Sequence, residues 1–198
     1  MLAKRIFDLF FAVVGAVTLL PLFMLIAVWI KCDSPGPVFF RQERVGRFGA
    51  LFKIYKFRTM CPDAESKGRL ITVGKDPRIT RSGHFLRKYK LDELPQLLNV
   101  ITGDMSLVGP RPEVPRYVAM YPPEVRCLVL SVPPGITDFA SIEYRDENTI
   151  LGRADDPDKV YLEEILPTKL SYCKRYVAER SLLVDFMLII KTLRMMVA

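Results

Sequence analysis

"LFFAVVGAVTLLPLFMLIAVWI", Leu9 to Ile30, decides how the chain is built. No charge interrupts it. A straight helix of that length reaches about 33 Å, enough for a bilayer core of about 30 Å. A secretory signal peptide fits poorly, because the apolar run is too long and no small-x-small cleavage site follows it. Pro21 sits in the middle, where proline removes a hydrogen bond and bends the axis. Membrane helices accommodate proline, so the flanks weigh more. Lys4 and Arg5 precede the run; Lys31, Arg41, Arg44 and Arg47 follow it. Positive flanks favour the cytoplasmic side at both ends. One span cannot satisfy that, whereas a helix that enters, bends at Pro21 and returns can. The expectation is a membrane re-entrant helix over residues 1–33, kinked at Pro21, and a compact cytosolic domain over 34–198.

The C-terminal "SLLVDFMLIIKTLRMMVA" is apolar but shorter, and Asp185, Lys191 and Arg194 interrupt it. It suits an interfacial helix better than a span; a core helix of the soluble part is the alternative. The chain has 198 residues, 50% of them hydrophobic, enough for one packed domain. Net charge is +7, which suits an anionic partner. The charge is lopsided. Arg41 to Lys90 holds 14 Lys/Arg against 4 Asp/Glu, and Leu91 to Arg180 holds 10 against 15. Cys32, Cys61, Cys127 and Cys173 show no paired spacing and read as reduced thiols. His84 stands alone, which argues against zinc and against a Ser-His-Asp triad.

"PVFFRQERVGRFGALFKIYKFRTM" predicts an antiparallel hairpin turning at Gly46–Gly49. Residues 61–83 read as loop, punctuated by Gly68, Gly74, Pro77 and Gly83. Short helices are expected at about 83–90 and 92–101, and a short strand at "MSLV". Further helices are expected on both sides of Pro122-Pro123, from "DPDKVYLEEIL", and at about 168–178. The fold class is α+β, mostly α, with one small sheet.

Three stretches carry candidate chemistry. In "RKYKLDELPQLLNV", Pro95 is tolerable only in a first helical turn. That places Asp92 near the N-cap and Glu93 in the first turn, at the positive end of the helix dipole. An ordinary acidic cap explains the pair completely. A carboxylate nucleophile would use the same field, with Arg87, Lys88 and Lys90 nearby, to stay ionised. Mg²⁺ could then bridge Asp92, Glu93 and a phosphate. In "GDMSLVGPRPE", Gly109 allows close backbone approach, while Pro110 and Pro112 stiffen the chain around Arg111. A guanidinium so held suits phosphate, or is a solvated arginine on a rigid turn. In "VPPGITDFASIEYRDEN", Pro133-Pro134-Gly135 reads as a turn. Arg145 lies among Glu143, Asp146 and Glu147, as a structural ion pair or a substrate contact.

The order of an apolar helix with a central Pro, "FFRQERVG", "FKIYKFRTM", "LDELPQLLNV", "GDMSLVGPRP" and "PGIT" closely resembles the bacterial sugar transferase family, the small monotopic phosphoglycosyl transferases. The resemblance covers nearly the whole chain. It implies transfer of a phospho-sugar from a UDP-sugar to polyprenyl phosphate, at the cytoplasmic face of the bacterial inner membrane. Asp92 would attack the β-phosphate and carry the phospho-sugar while UMP leaves. Glu93 would be the supporting carboxylate and Mg²⁺ the cofactor, held by Asp92 and Glu93. Arg87 and Arg111 match positions associated with phosphate, with Gly109, Pro110 and Arg145 as further candidate contacts. The N-terminal helix would be re-entrant. Two departures stand out. Many relatives place Ser before the mid-helix Pro, where this chain has Leu20. Many read "PGITG-L-A-Q", where this chain has Asp138 and Phe139.

The competing class is a membrane-attached module that binds anionic lipid without catalysis, indifferent to its carboxylates. A structural scaffold would leave Asp92, Glu93 and Arg111 without purpose. No RNA- or DNA-reading pattern is present, so nucleic acid is not an expected partner.

Overall fold

The computed structural model describes residues 2–62, 64, 76–143, 147–154 and 156–197. Helices α1 (Leu2–Thr18) and α2 (Leu20–Asp33) meet at Leu19 with a bend of 59°. Amides on both sides of the joint stay bonded, Leu19 N to Gly15 O and Phe23 N to Leu19 O, each at 2.9 Å. Pro21, in the first turn of α2, has no N–H for the carbonyl four residues back, and the axis opens there. Among the described residues no single helix is long and apolar enough to cross a membrane; the bent pair passes that test only together.

The outer face of α1 exposes Leu2, Ile6, Phe10, Val14 and Val17, and that of α2 exposes Leu25, Val28 and Trp29. The inner face is tied down by charge. Arg5 donates to the Val100 and Ile101 carbonyls at 2.6 and 3.0 Å, capping the C-terminal end of α4 (Gln96–Thr102). Buried Asp8 accepts from Ser106 Oγ at 2.8 Å and Leu107 N at 3.2 Å. Lys4 donates to Asp185 Oδ2 at 2.6 Å, and Tyr176 donates its hydroxyl proton to Asp185 Oδ1 at 2.8 Å. These bonds join α1 to β3 (Ser106–Val108), α10 (Leu166–Glu179) and α11 (Leu182–Val197). Helix α11 is divided: Asp185 and Leu188 are buried, while Leu183, Phe186, Met187 and Leu193 face outward.

The expected hairpin is present. β1 (Phe39–Val45) pairs antiparallel with β2 (Leu51–Phe57), in the register Phe39 opposite Phe57 and Val45 opposite Leu51. Asn99, fully buried on α4, accepts from Tyr55 N and donates to Lys53 O, both at 2.9 Å. Its amide thus completes the free edge of β2 and locks α4 to the hairpin.

Four expectations are corrected. A second sheet exists: "GIT" is a strand, β4 (Gly135–Thr137), parallel to β3. The turn expected at Pro133-Pro134-Gly135 therefore ends at Gly135, which opens the strand, while the strand expected at "MSLV" is present as β3. Gly83 is not loop. It lies in α3 (Arg81–Lys88), which starts two residues earlier than expected because Thr80 caps it. A Cβ on Gly83 would stand 2.1 Å from Thr59 O, so glycine here serves contact rather than freedom. The expected helix at 92–101 begins instead as a 3-10 turn, Leu91–Glu93, and becomes α-helix only at Gln96. Finally, "DPDKVYLEEIL" and the helix after it follow without a break: α9 (Pro157–Val160), a π turn at Tyr161–Ile165, then α10. Short helices α5 (Pro115–Val118), α6 (Pro123–Val129), α7 (Phe139–Glu143) and α8 (Glu147–Arg153) complete the chain order.

Replacing Asn99 by Ala leaves two part-buried backbone groups of β2, Tyr55 N–H and Lys53 C=O, without their partner. At about 1–3 kcal/mol for each, we expect a loss of roughly 2–4 kcal/mol in denaturant unfolding. A loss below about 0.5 kcal/mol, within the range of neutral surface changes, would show that this side chain does not clamp the hairpin.

Candidate active site

Three segments converge on one largely buried carboxylate. Lys56 comes from β2, Glu93 from the 3-10 turn, and Arg111 from the turn after β3. Lys56 Nζ donates to Glu93 Oε1 at 2.8 Å, and Arg111 Nη2 donates to the same oxygen. The side chains of Lys56, Glu93 and Arg111 are 20%, 14% and 35% exposed. Strand parity delivers Lys56, because Phe52, Ile54 and Lys56 share the inward face of β2. That alternation is legible in "FKIYKF", but nothing in the pattern marks Lys56 as a site residue.

The turn bearing Arg111 is fixed by close contact. A Cβ on Gly135 would lie 2.0 Å from Gly109 N, and one on Gly109 would lie 2.5 Å from Pro133 O. Gly109 N donates to Thr137 O and Pro110 O accepts from Gly135 N, both at 3.0 Å. Gly109 and Pro110 are buried, with these backbone groups committed to β4. They hold Arg111 in place. Behind it, Glu113 accepts from Tyr161 OH at 2.8 Å and pairs with Arg44 at 3.7 Å and Lys169 at 3.8 Å.

Asp92 is buried beside Glu93 but differs from it: among the described residues no side-chain hydrogen bond reaches its carboxylate. It is not a helix cap, since neither the 3-10 turn nor α4 has a side-chain cap. The turn opens on Lys90 in the left-handed region, φ 54°, and Lys90 Nζ donates to Ser141 O at 3.3 Å. Burial, and then the Glu93 charge, push the Asp92 carboxyl up to about 6, against the pull of Lys56, Arg87 and Arg111. Glu93 moves the other way. Arg111 and Lys56 overcome its burial and hold it well below the usual carboxylate range. Two adjacent acids are thereby separated into one that stays ionised and one that titrates near neutrality.

Arg87 donates from Nε to Thr59 Oγ1 at 3.0 Å, and the Asp92 charge works against the effect of its burial. The structure therefore gathers Arg87, Asp92, Glu93 and Arg111 into one place and adds Lys56. Asp138, the departure noted in the sequence, turns inward as the cap of α7, accepting from Ser141 N at 2.8 Å. Pro21 lies at the bend, remote in sequence from the carboxylates. Arg145 lies outside the described residues. Among those described, no group of three or more His, Cys, Asp or Glu forms a ready-made metal cage. A buried carboxylate pair set among fixed cations is suited to binding and exchanging phosphate groups.

The family described as bacterial sugar transferase matches residues 1–198, so the chain belongs to that family and is a transferase. The Aeromonas hydrophila UDP-N-acetylgalactosamine-undecaprenyl-phosphate N-acetylgalactosaminephosphotransferase is 38% identical over 193 residues, 96% of this chain and 43% of that protein. The Escherichia coli (strain K12) UDP-glucose:undecaprenyl-phosphate glucose-1-phosphate transferase is 40% identical over 167 residues, 83% of this chain and 36% of that protein. The exopolysaccharide production protein ExoY of Rhizobium meliloti (strain 1021) is 35% identical over 207 residues, 97% of this chain and 84% of that protein. The chain spans less than half the length of the first two and most of the third.

The dyad carries a stability signature of opposite signs. The raised Asp92 makes folding less favourable as pH rises from its ordinary 3.8 through about 6. Asp92→Asn should therefore be more stable than wild type at pH 7.5, by about 1–3 kcal/mol. The depressed Glu93 contributes stability above its ordinary value of 4.5, lost as pH falls through the folded one. Glu93→Gln removes the charge that half-buried Lys56 and Arg111 share and should cost about 1–3 kcal/mol at pH 7.5, solvent at Arg111 screening part of the pair. Thermal unfolding in one detergent checks both signs; two losses of equal size would contradict the separation.

Proposed function

We propose that this transferase moves a phospho-sugar from a UDP-sugar to membrane polyprenyl phosphate through a covalent phospho-sugar on Asp92. A carboxylate oxygen of Asp92 attacks the β-phosphorus, and the bond from that phosphorus to the bridging oxygen breaks. UMP leaves with the electron pair. A phosphate oxygen of polyprenyl phosphate then attacks the same phosphorus, restoring Asp92 and giving the polyprenyl-diphosphate-sugar. One observation carries this reading: Asp92 is a buried acid that receives no side-chain hydrogen bond among the described residues, beside an acid whose Oε1 is shared by two cations. A nucleophile must be free to form and break a bond, while its neighbour fixes the cations that screen the phosphates. The printed functions of the Aeromonas and Escherichia relatives support the donor and acceptor classes.

Mg²⁺ fits the donor set. Lys56 and Arg111 share Oε1 of Glu93, leaving Oε2 and the Asp92 carboxylate as metal ligands. Magnesium commonly takes one or two carboxylates and completes its shell with substrate phosphates and water. It would neutralise charge developing on the diphosphate. Arg87 and Arg111 supply fixed positive charge to the same phosphates.

The bent α1–α2 pair is read as re-entrant over residues 1–33, on a cytosolic catalytic domain at the inner membrane. The exposed apolar faces of α1, α2 and α11 support membrane contact.

Two measurements test the reaction. With UDP-sugar and Mg²⁺ but no lipid, intact mass should show a phospho-sugar adduct on the wild type and none on Asp92→Asn, with UMP released only by the wild type. Identical behaviour of the two proteins would refute the mechanism. The rate of this half-reaction should be flat above Asp92's value of about 6 and should fall toward tenfold per pH unit below it, because only the ionised carboxylate attacks. A rate that rises on acidification would reverse the assignment.

A further inference from the structure

A series of aromatic rings runs along the outside of the molecule from α2 toward the carboxylate turn. Trp29 on α2 meets Phe85 on α3 with ring centres 5.3 Å apart, and Phe85 meets Tyr89 at 4.7 Å. Trp29 and Phe85 are 41% and 45% exposed, and Tyr89 is half-buried. Lys88 Nζ stands 5.2 Å from the Tyr89 ring centre. The helix period explains the series. Phe85 lies on α3 and Tyr89, four residues on, ends that helix one turn later; the buried side of α3 is Ser82, Gly83 and Leu86. On α2, Leu25, Val28 and Trp29 share the exposed face. The apolar surface of α2 therefore continues through Trp29 onto α3 and stops at Tyr89, three residues before Asp92.

Exposed rings in contact, joined to an apolar helix face, mark a surface that something covers. The two ends identify the occupant. One end is continuous with Leu25 and Val28, and the other ends among cations: exposed Lys88, then Arg87, whose charge is felt by Asp92. A ligand matching that gradient is apolar along its length and anionic at its head. The branched, flat alkene units of a prenyl chain lie well against ring faces, and a terminal phosphate answers the cations. A plain bilayer would cover Leu25 and Val28, but it gives no reason for the strip to turn along α3 toward the carboxylates.

Resting on the reaction proposed above, we propose that Trp29, Phe85 and Tyr89 seat the first isoprene units of the acceptor polyprenyl phosphate, and that Lys88 meets its phosphate on the way to Asp92. The strip is only a few isoprene units long, so it recognises the head-proximal part of the chain and is indifferent to the length beyond.

The test uses the full chain in detergent micelles, with undecaprenyl phosphate and farnesyl phosphate as acceptors. Phe85→Ala and Trp29→Ala should each raise the KM for both acceptors at least fivefold, with the KM for UDP-sugar changed less than twofold. Phe85→Leu keeps apolar volume and guards against misfolding; it should fall between Ala and wild type, and Phe85→Tyr should restore most of the loss. Lys88→Gln should raise acceptor KM more at low salt than at high salt. Unchanged acceptor KM in the aromatic variants, with the Asp92 adduct still forming, overturns the strip and leaves the reaction intact. Variants that lose sedimentation with phospholipid vesicles yet keep acceptor KM in micelles also overturn it, because the rings would then be a plain membrane anchor. Failure of the wild type to form any adduct would instead count against the reaction itself.

Discussion

The Glu93 carboxylate is the point on which the rest of the site depends. A buried carboxylate is tolerated only where opposite charge meets it in good geometry. Here the two cations come from distant parts of the chain, Lys56 from the hairpin and Arg111 from the turn after β3. Each needs its own support. Lys56 faces inward because β2 is held at its free edge by Asn99. Arg111 is presented by a turn that packs backbone against backbone at Gly109 and Gly135. The ion pairs are thus as much a consequence of packing as a cause of it. They convert three loosely related segments into one fixed cluster, and Asp92 inherits its surroundings from that cluster.

A second set of buried charges fastens the apolar helices to the same framework. Asp8 binds the backbone of β3, and Lys4 binds Asp185 and the Val108 carbonyl. Strand β3 runs directly into the Gly109–Pro112 turn that carries Arg111. The helices with the greasy outer faces and the guanidinium at the carboxylates therefore share one strand. Any surface that α1 and α11 sit against is held at a set height relative to Asp92. That coupling is what an enzyme needs if one substrate comes from water and the other from lipid.

Much of this was legible in the chain. The hairpin, the proline bend and the gathering of Asp92, Glu93, Arg87 and Arg111 follow from alternation, proline chemistry and motif order. Other parts were hidden for identifiable reasons. The short strand β3 is expected at "MSLV", but β4 is three residues long, too short for periodicity, and its pairing with β3 is specified by glycine contact rather than by pattern. Lys56 was visible by parity, but a lysine in a strand reads as solvent-facing until its partner is known. Asp8 and Asp185 interrupt or border apolar runs. Such charges read as breaks in a membrane segment, whereas here they are the bonds that hold the segment to the domain.

Asp92 is prepared differently from a helix cap. Sequence logic placed it at a helix start, where the dipole would keep it ionised. A true cap is tied to the amides it satisfies, and its carboxylate is spent on them. The 3-10 turn moves Asp92 away from that role, and burial next to Glu93 raises its affinity for a proton. Above about pH 6 the carboxylate is ionised but poorly stabilised, and positive charge brought closer would stabilise it further. Glu93 makes this possible by absorbing Lys56 and Arg111 so fully that they do not collapse onto Asp92. On the proposed reaction, a carboxylate that bonds to phosphorus and then releases it is best left without fixed partners, and here the cations bond to its neighbour instead.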